Sequence, residues 1–165
     1  MHAIEEHIPR LRRYARALTG NTASADDLVQ DTLERALSRF SMWRPGSDLR
    51  AWLFSIMHNV HINQVKSRRA TSEQPLDDDA PDIPVAAQHN HVLEMRDLAT
   101  ALKELPDEQR EILLLIGLEQ LSYDEVAKML NVPIGTVMSR LSRGREKLRR
   151  LMQGLPDAPA LKAVT

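Results

Sequence analysis

The stretch from Leu121 to Met152 reads as helix, tight turn, helix, and it constrains the fold more than any other part of the chain. Ser122 is placed to cap a short helix from Tyr123 to Leu130, whose apolar residues Val126, Ala127 and Leu130 share one face. Asn131-Val132-Pro133-Ile134-Gly135 is a turn in which Pro133 and Gly135 are expected to set the backbone angles. A second helix runs from about Gly135 to Met152, apolar at Val137, Leu141, Leu148 and Leu151. Its other face carries Arg140, Arg143, Arg145, Lys147, Arg149 and Arg150, with Glu146 as the one acid. A hairpin of helices with merely solvated arginines explains this bias less well than docking in a DNA major groove.

Apolar residues make up 42% of the chain but aromatics only 4%, so a core must be built from Leu, Val, Ile, Ala and Met. That favours helices over a sandwich or barrel. The 165 residues suffice for one medium domain or two small ones. With no cysteine, disulfides, thiolate zinc sites and a Cys nucleophile are excluded together, which fits a cytoplasmic protein. Met1 to Glu6 lacks the pattern of a signal peptide. No apolar run approaches the roughly 20 residues of a membrane helix, so no membrane insertion is expected.

A net charge of −1 hides a strong pattern. Residues 41–70 are net +4, 71–100 net −6, 101–130 net −4 and 131–165 net +5. Two basic patches flank an acidic middle, and phosphate attraction follows the local field within a Debye length of about 8–10 Å.

Helical periodicity recurs along the chain. Ile4, Ile8, Leu11, Ala15 and Leu18 form one stripe, which Pro9 is expected to bend or delay. Ser24, with Asp27 completing a capping box, is expected to start a helix from Ala25 to about Phe40. Ser47 is expected to cap a long helix from Asp48 to about Arg69, apolar at Leu49, Trp52, Leu53, Ile56, Val60 and Val65. Its opposite face presents Arg50, Ser55, His58, Asn59, Asn63 and Lys66. Periodicity ends between Ala70 and Asn90, a polar, acidic, proline-rich linker. His91–Leu105 and Asp107–Leu118 are two further amphipathic helices, broken at Pro106, which join the helix-turn-helix in a four-helix domain. The expected architecture is all-α: one small helical domain over 1–69, a flexible acidic linker over 70–90, a second over 91–153, and a frayed tail over 154–165.

Three stretches resemble one family. They are Ser24-Ala25-Asp26-Asp27-Leu28-Val29-Gln30-Asp31-Thr32; Leu49-Arg50-Ala51-Trp52-Leu53-Phe54 running on to Asn59 and Asn63; and Leu105-Pro106-x-x-Gln109-Arg110-Glu111 through Leu121-Ser122-Tyr123-x-Glu125-Val126-Ala127 and Gly135-Thr136-Val137-x-Ser139-Arg140-Leu141. In this order and spacing they look like the extracytoplasmic-function (group IV) sigma factors of bacterial RNA polymerase, which keep only region 2 and region 4. The resemblance covers about residues 5–152.

It implies a promoter-specificity subunit that binds core RNA polymerase, recognises −35 and −10 elements and promotes DNA melting. Asp26, Asp27, Gln30 and Asp31 would meet the β′ subunit, although plain helix capping also explains Asp26 and Asp27. The polymerase partner implied is the core enzyme through its β and β′ subunits. Asn59 and Asn63 would contact the edges of unstacked −10 bases, while Lys66, Arg68 and Arg69 attract phosphates. Trp52, on the apolar stripe, is read as core, and His58 and His61 as a solvated helix face rather than metal ligands. Thr136, Ser139, Arg140, Ser142 and Arg143 would approach −35 base edges, with Arg145, Lys147 and Arg149 on phosphates. Met138 departs from the family's usual Lys or Arg and can meet a thymine methyl instead. Asp77, Asp78, Asp79 and Asp82 in the linker suit either a basic polymerase channel or a solvated tether. An anti-sigma partner is implied, and no cofactor.

Two other classes remain open at this stage. A stand-alone repressor or activator would use the same helix-turn-helix but has no need of the Asp-Leu-Val-Gln-Asp edge or the Arg-Ala-Trp-Leu-Phe helix. An enzyme would need a phosphate loop, nucleophile or metal cluster, and no such motif is present.

Overall fold

The computed structural model describes residues 2–70 and 89–154. A single turn, α1 (His2–Glu5), precedes α2 (Ile8–Thr19). Pro9 falls in the first turn of α2, where its missing N–H costs no hydrogen bond, so it delays the helix. Gly20 closes α2 in the left-handed region (φ 68°) and donates to the Arg16 carbonyl. The chain then extends at Asn21, which starts α3 (Thr22–Ser38). Asn21 is the cap, its Oδ1 accepting from the Ser24 backbone N–H at 2.9 Å. The expected Ser24–Asp27 box is therefore corrected: Ser24 already lies inside the first turn.

The long helix α4 (Leu49–Ala70) is also capped by a residue other than the expected serine, here its immediate neighbour. The Asp48 carboxylate accepts from the Ala51 N–H at 3.3 Å, whereas the Ser47 hydroxyl donates to the Arg44 carbonyl at 2.6 Å. Asp48, not Ser47, caps the helix. Between α3 and α4, Phe40 stacks on Trp43 (5.5 Å) and meets Trp52 edge-on (6.5 Å), tethering the loop. Helices α2, α3 and α4 bury Leu11, Tyr14, Leu18, Leu28, Leu53, Phe54 and Met57 almost completely. Tyr14 and Phe54 meet edge to face at 5.1 Å and 78°. Thr32, also buried, satisfies its hydroxyl on the Leu28 carbonyl at 2.7 Å.

The second unit begins with α5 (His89–Glu104) and breaks at Pro106 before α6 (Asp107–Leu113). The Arg110 guanidinium staples this joint by donating to the carbonyls of Leu102, Lys103 and Leu105, at 2.6, 3.0 and 2.7 Å. It thereby satisfies acceptors that the end of α5 leaves without helical partners. Periodicity predicts that α6 continues to Leu118. Instead Leu114–Leu118 widens into a π turn, with the Glu119 N–H bonded to the Leu114 carbonyl at 3.0 Å. Leu114 and Leu115 still face inward, and Glu119 is turned into the protein.

Helix α7 (Tyr123–Leu130) has both halves of a capping box, Ser122 with Glu125. Ser122→Ala is expected to cost about 1 kcal/mol, read as a lower urea midpoint with unchanged slope. The left-handed residue of the following turn is Asn131 (φ 56°), not Gly135, which sits inside α8 (Ile134–Met152). Val126, Val137 and Leu141 lock α7 to α8. Leu148 and Leu151 are only partly buried. Gly144 lets α8 approach α6 closely: a Cβ there would lie 3.1 Å from Leu113 Cδ1.

The chain is all-α among its described residues, with α1–α4 forming one helical unit and α5–α8 the other. The two units pack together, α2 against α5 and the π turn, α4 against α7. The acidic segment expected to act as a linker, including Asp77, Asp78, Asp79 and Asp82, and the tail beyond Gly154 lie outside the described residues. Among the described residues no helix is long and apolar enough to cross a membrane.

Candidate nucleic-acid and polymerase interfaces

On α8, the inward face of Val137, Leu141 and Gly144 fixes which residues point outward. Ser142, Arg143 and Arg145 are exposed, while Thr136, Ser139, Arg140 and Lys147 are half-buried at the edge of that face. Arg140 Nε lies 3.8 Å from the Glu108 carboxylate, beside a groove lined by Gln109, Thr136, Ser139 and Arg143. Further along, Arg149 and Arg150 share the Glu146 carboxylate at 2.7 and 3.2 Å. Hydrogen bonding from Arg149 holds that carboxyl below its usual range. Cationic charge at the N-terminal half of the helix is thus less compensated by the helix's own acids. Met138 is 47% exposed and Ile134 40%, an apolar strip on a basic helix.

On α4, Asn59, Asn63, Lys66, Arg68 and Arg69 are all exposed, and Arg68 turns toward α3, its Nη2 donating to Ser24 Oγ at 3.3 Å. Asn59 and Asn63 stand one turn apart. On α3, Asp26, Asp27, Gln30 and Asp31 are exposed, while Leu28, Val29 and Thr32 between them are buried. Gln64 Nε2 donates to Asp31 at 2.9 Å, and a groove between α3 and α4 continues past Glu34, Arg35, Asn63 and Ser67. The acidic edge of α3 and the amide face of α4 are therefore neighbours on one surface. Trp52 is half-buried against Phe40.

His58 and His61 are corrected. Both are more than nine-tenths buried, not solvated, because α4 turns this third face toward the second unit. His58 Nδ1 lies 2.6 Å from Glu111 Oε2, and His61 Nε2 lies 2.9 Å from Asp107 Oδ1. Nearby, Arg13 Nη2 donates to the buried Glu119 carboxylate at 3.1 Å, and Arg50 Nη1 to the Glu119 carbonyl at 2.6 Å. These contacts between the units were missed by sequence reasoning. The available signal was a pair of histidines three apart on α4 opposite two acids four apart on α6.

Burial opposes ionisation of Asp107, but the His61 hydrogen bond and charge, with Arg110 and Arg69, hold its carboxyl below the usual range. Depressed in the folded state, this carboxyl contributes stability that is fully present above the unfolded value of about 3.9. That contribution is lost as pH falls through the lower folded value. Urea midpoints measured from pH 5 downward are expected to drop more steeply for the native chain than for Asp107→Asn.

The surfaces can be set beside known proteins. A family model for the Sigma2 domain of PhyR matches residues 4–58, and one for Sigma-70 region 4 matches residues 95–148. The ECF RNA polymerase sigma factor EcfG of Rhodopseudomonas palustris is 39% identical over 145 residues, covering 88% of this chain and 80% of the relative. The sigma factor RpoE from Bartonella quintana, solved in complex with the anti-sigma factor NepR, superimposes with a TM-score of 0.78 at 32% identity. That match covers 92% of this chain and 95% of RpoE. CnrH, solved with the cytosolic domain of CnrY, gives 0.68 at 27% identity, covering 95% and 88% of the two chains. With region 2 carrying the acidic and amide faces and region 4 the basic recognition helix, the chain belongs to the extracytoplasmic-function RNA polymerase sigma factors and serves transcription initiation.

Proposed function

We propose a division of labour among these faces. Region 2, residues 1–69, grips the β′ subunit of core RNA polymerase through Asp26, Asp27, Gln30 and Asp31. The same unit holds non-template −10 bases at Asn59 and Asn63, with Lys66, Arg68 and Arg69 on the phosphates. Region 4, residues 91–153, reads the −35 duplex with Thr136, Ser139, Arg140, Ser142 and Arg143, while Arg145 and Lys147 contact phosphate. The acidic segment 70–90 joins them, and the chain acts in the cytoplasm by binding alone, without covalent chemistry. Melting is driven by the free energy of capturing unstacked bases.

The observation that carries this reading is the split on α3: Asp26, Asp27, Gln30 and Asp31 exposed around a buried Leu28, Val29 and Thr32. Helix capping does not explain Gln30 and Asp31, which lie beyond the first turn, and a stand-alone repressor has no use for such an edge. An anti-sigma protein is the expected regulator, supported by the likeness to RpoE solved with NepR. The test is a pair of binding titrations. Asp31→Lys should weaken core-polymerase binding at least tenfold, and Asn63→Ala should weaken capture of a single-stranded −10 oligonucleotide by the holoenzyme. Unchanged affinity in both would overturn the assignment.

A further inference from the structure

We propose that Met138 is a specificity-determining residue of the recognition helix: its side chain, with Ile134 beside it, covers the C5-methyl group of a thymine in the −35 element. The inference rests on the reading of region 4 given above and names a base that it selects. Helix α8 buries Val137, Leu141 and Gly144. Ile134, Met138, Ser142, Arg145 and Arg149, spaced by three or four residues, form its exposed ridge. Thr136, Ser139 and Arg140 sit to one side of that ridge, half-buried along the groove that α8 forms with Glu108 and Gln109 of α6.

The ridge changes character along its length. It begins apolar, with Ile134 40% and Met138 47% exposed, passes through the small Ser142 and ends in two arginines. A single apolar side chain in water needs no explanation, but here two stand one turn apart on the outer face of a basic helix. Both lie in the first two turns of α8. A recognition helix of this motif presents its N-terminal residues to base edges, while cations further along hold phosphates. Met138 therefore stands where a side chain enters the major groove.

The chemistry of that position selects one base. Major-groove edges are patterned by hydrogen-bond donors and acceptors, and thymine adds a methyl group to them. Methionine has no donor and only a weak sulfur acceptor, so Met138 offers little to the edges of guanine, adenine or cytosine. Docked on cytosine, it would leave an exocyclic amine dehydrated and without a partner. On thymine it removes apolar surface from water on both sides of the contact, and its unbranched chain adapts to where the methyl group lies. An arginine at the same point would favour guanine instead.

The test uses holoenzyme assembled from core RNA polymerase and the full chain, on duplex promoters recovered by run-off selection. The selected −35 element should hold a T·A pair at one fixed position. Replacing that thymine by deoxyuridine removes the methyl group alone and should weaken binding about fourfold, as for one buried aliphatic carbon. Met138→Ala should bind the thymine and deoxyuridine duplexes equally, and Met138→Leu should keep the difference. Met138→Arg should move the selection at that position to guanine. Because Met138 is exposed, all three variants should keep the native urea midpoint. A methyl effect that persists in Met138→Ala, or a −35 element in which no thymine responds to deoxyuridine, would overturn the contact while leaving region 4 as the −35 reader. If Met138→Ala weakens binding to core polymerase and leaves promoter preference unchanged, the ridge is a protein-facing surface and the inference falls. If no −35 element is selected at all, the reading of region 4 fails and the contact falls with it.

Discussion

Phe54→Ala is expected to cost about 3–5 kcal/mol, a large fraction of the stability of a small helical unit. Phe54 is 1% exposed, and its ring packs edge-on against Tyr14, so truncation removes both apolar burial and an aromatic contact. The cavity would open beside Tyr14, where the two rings join α2 to α4, in a closely packed core that can only partly collapse to fill it. The expected result is a strongly lowered urea midpoint and loss of core-polymerase binding, because Asp26 to Asp31 depend on this core for their placement. Phe54→Leu, which keeps more of the volume, should retain most of the stability. A Phe54→Ala chain that unfolds at the native midpoint would show that the residue is not part of the core described here.

Arg143→Ala is expected to reduce transcription from a promoter that depends on its −35 element by about 10-fold to 100-fold, corresponding to about 1–3 kcal/mol for a lost bidentate base contact. The fold should be unaffected, since Arg143 is exposed and Val137, Leu141 and Gly144 keep α8 in place. Arg143→Lys separates base reading from charge. Lysine keeps the attraction to phosphate but lacks the planar fork, so affinity should recover in part while sequence preference does not. If Arg143 touches phosphate only, both substitutions would weaken all promoters evenly and selectivity would stay intact.

The helices are legible in the sequence because their apolar residues recur with helical spacing: Leu11, Ala15 and Leu18; Leu28, Val29 and Ala36; Leu53, Ile56 and Val60. The Pro106 break and the Ser122 cap are legible for the same local reason, since each acts through its own backbone neighbourhood. The caps of α3 and α4 are less so. Asn21, Thr22 and Ser24 are all competent to cap, and the choice falls to Asn21 because Gly20 turns left-handed and leaves Asn21 extended. The π turn and the burial of His58 and His61 are not local properties. Their partners Glu111 and Asp107 lie 53 and 46 residues away, and α4 has two occupied sides where an isolated amphipathic helix has one. The residues proposed to face DNA and polymerase were readable chiefly as motifs, and the structure adds which of them reach solvent.

The most direct test of the central claim is run-off transcription by core RNA polymerase on a promoter library, with and without this chain, with the start sites sequenced. The account predicts new starts that appear only with the chain and share a −35 and a −10 element at fixed spacing. No binding to core polymerase and no new starts, alongside specific binding of the chain alone to duplex DNA, would contradict it.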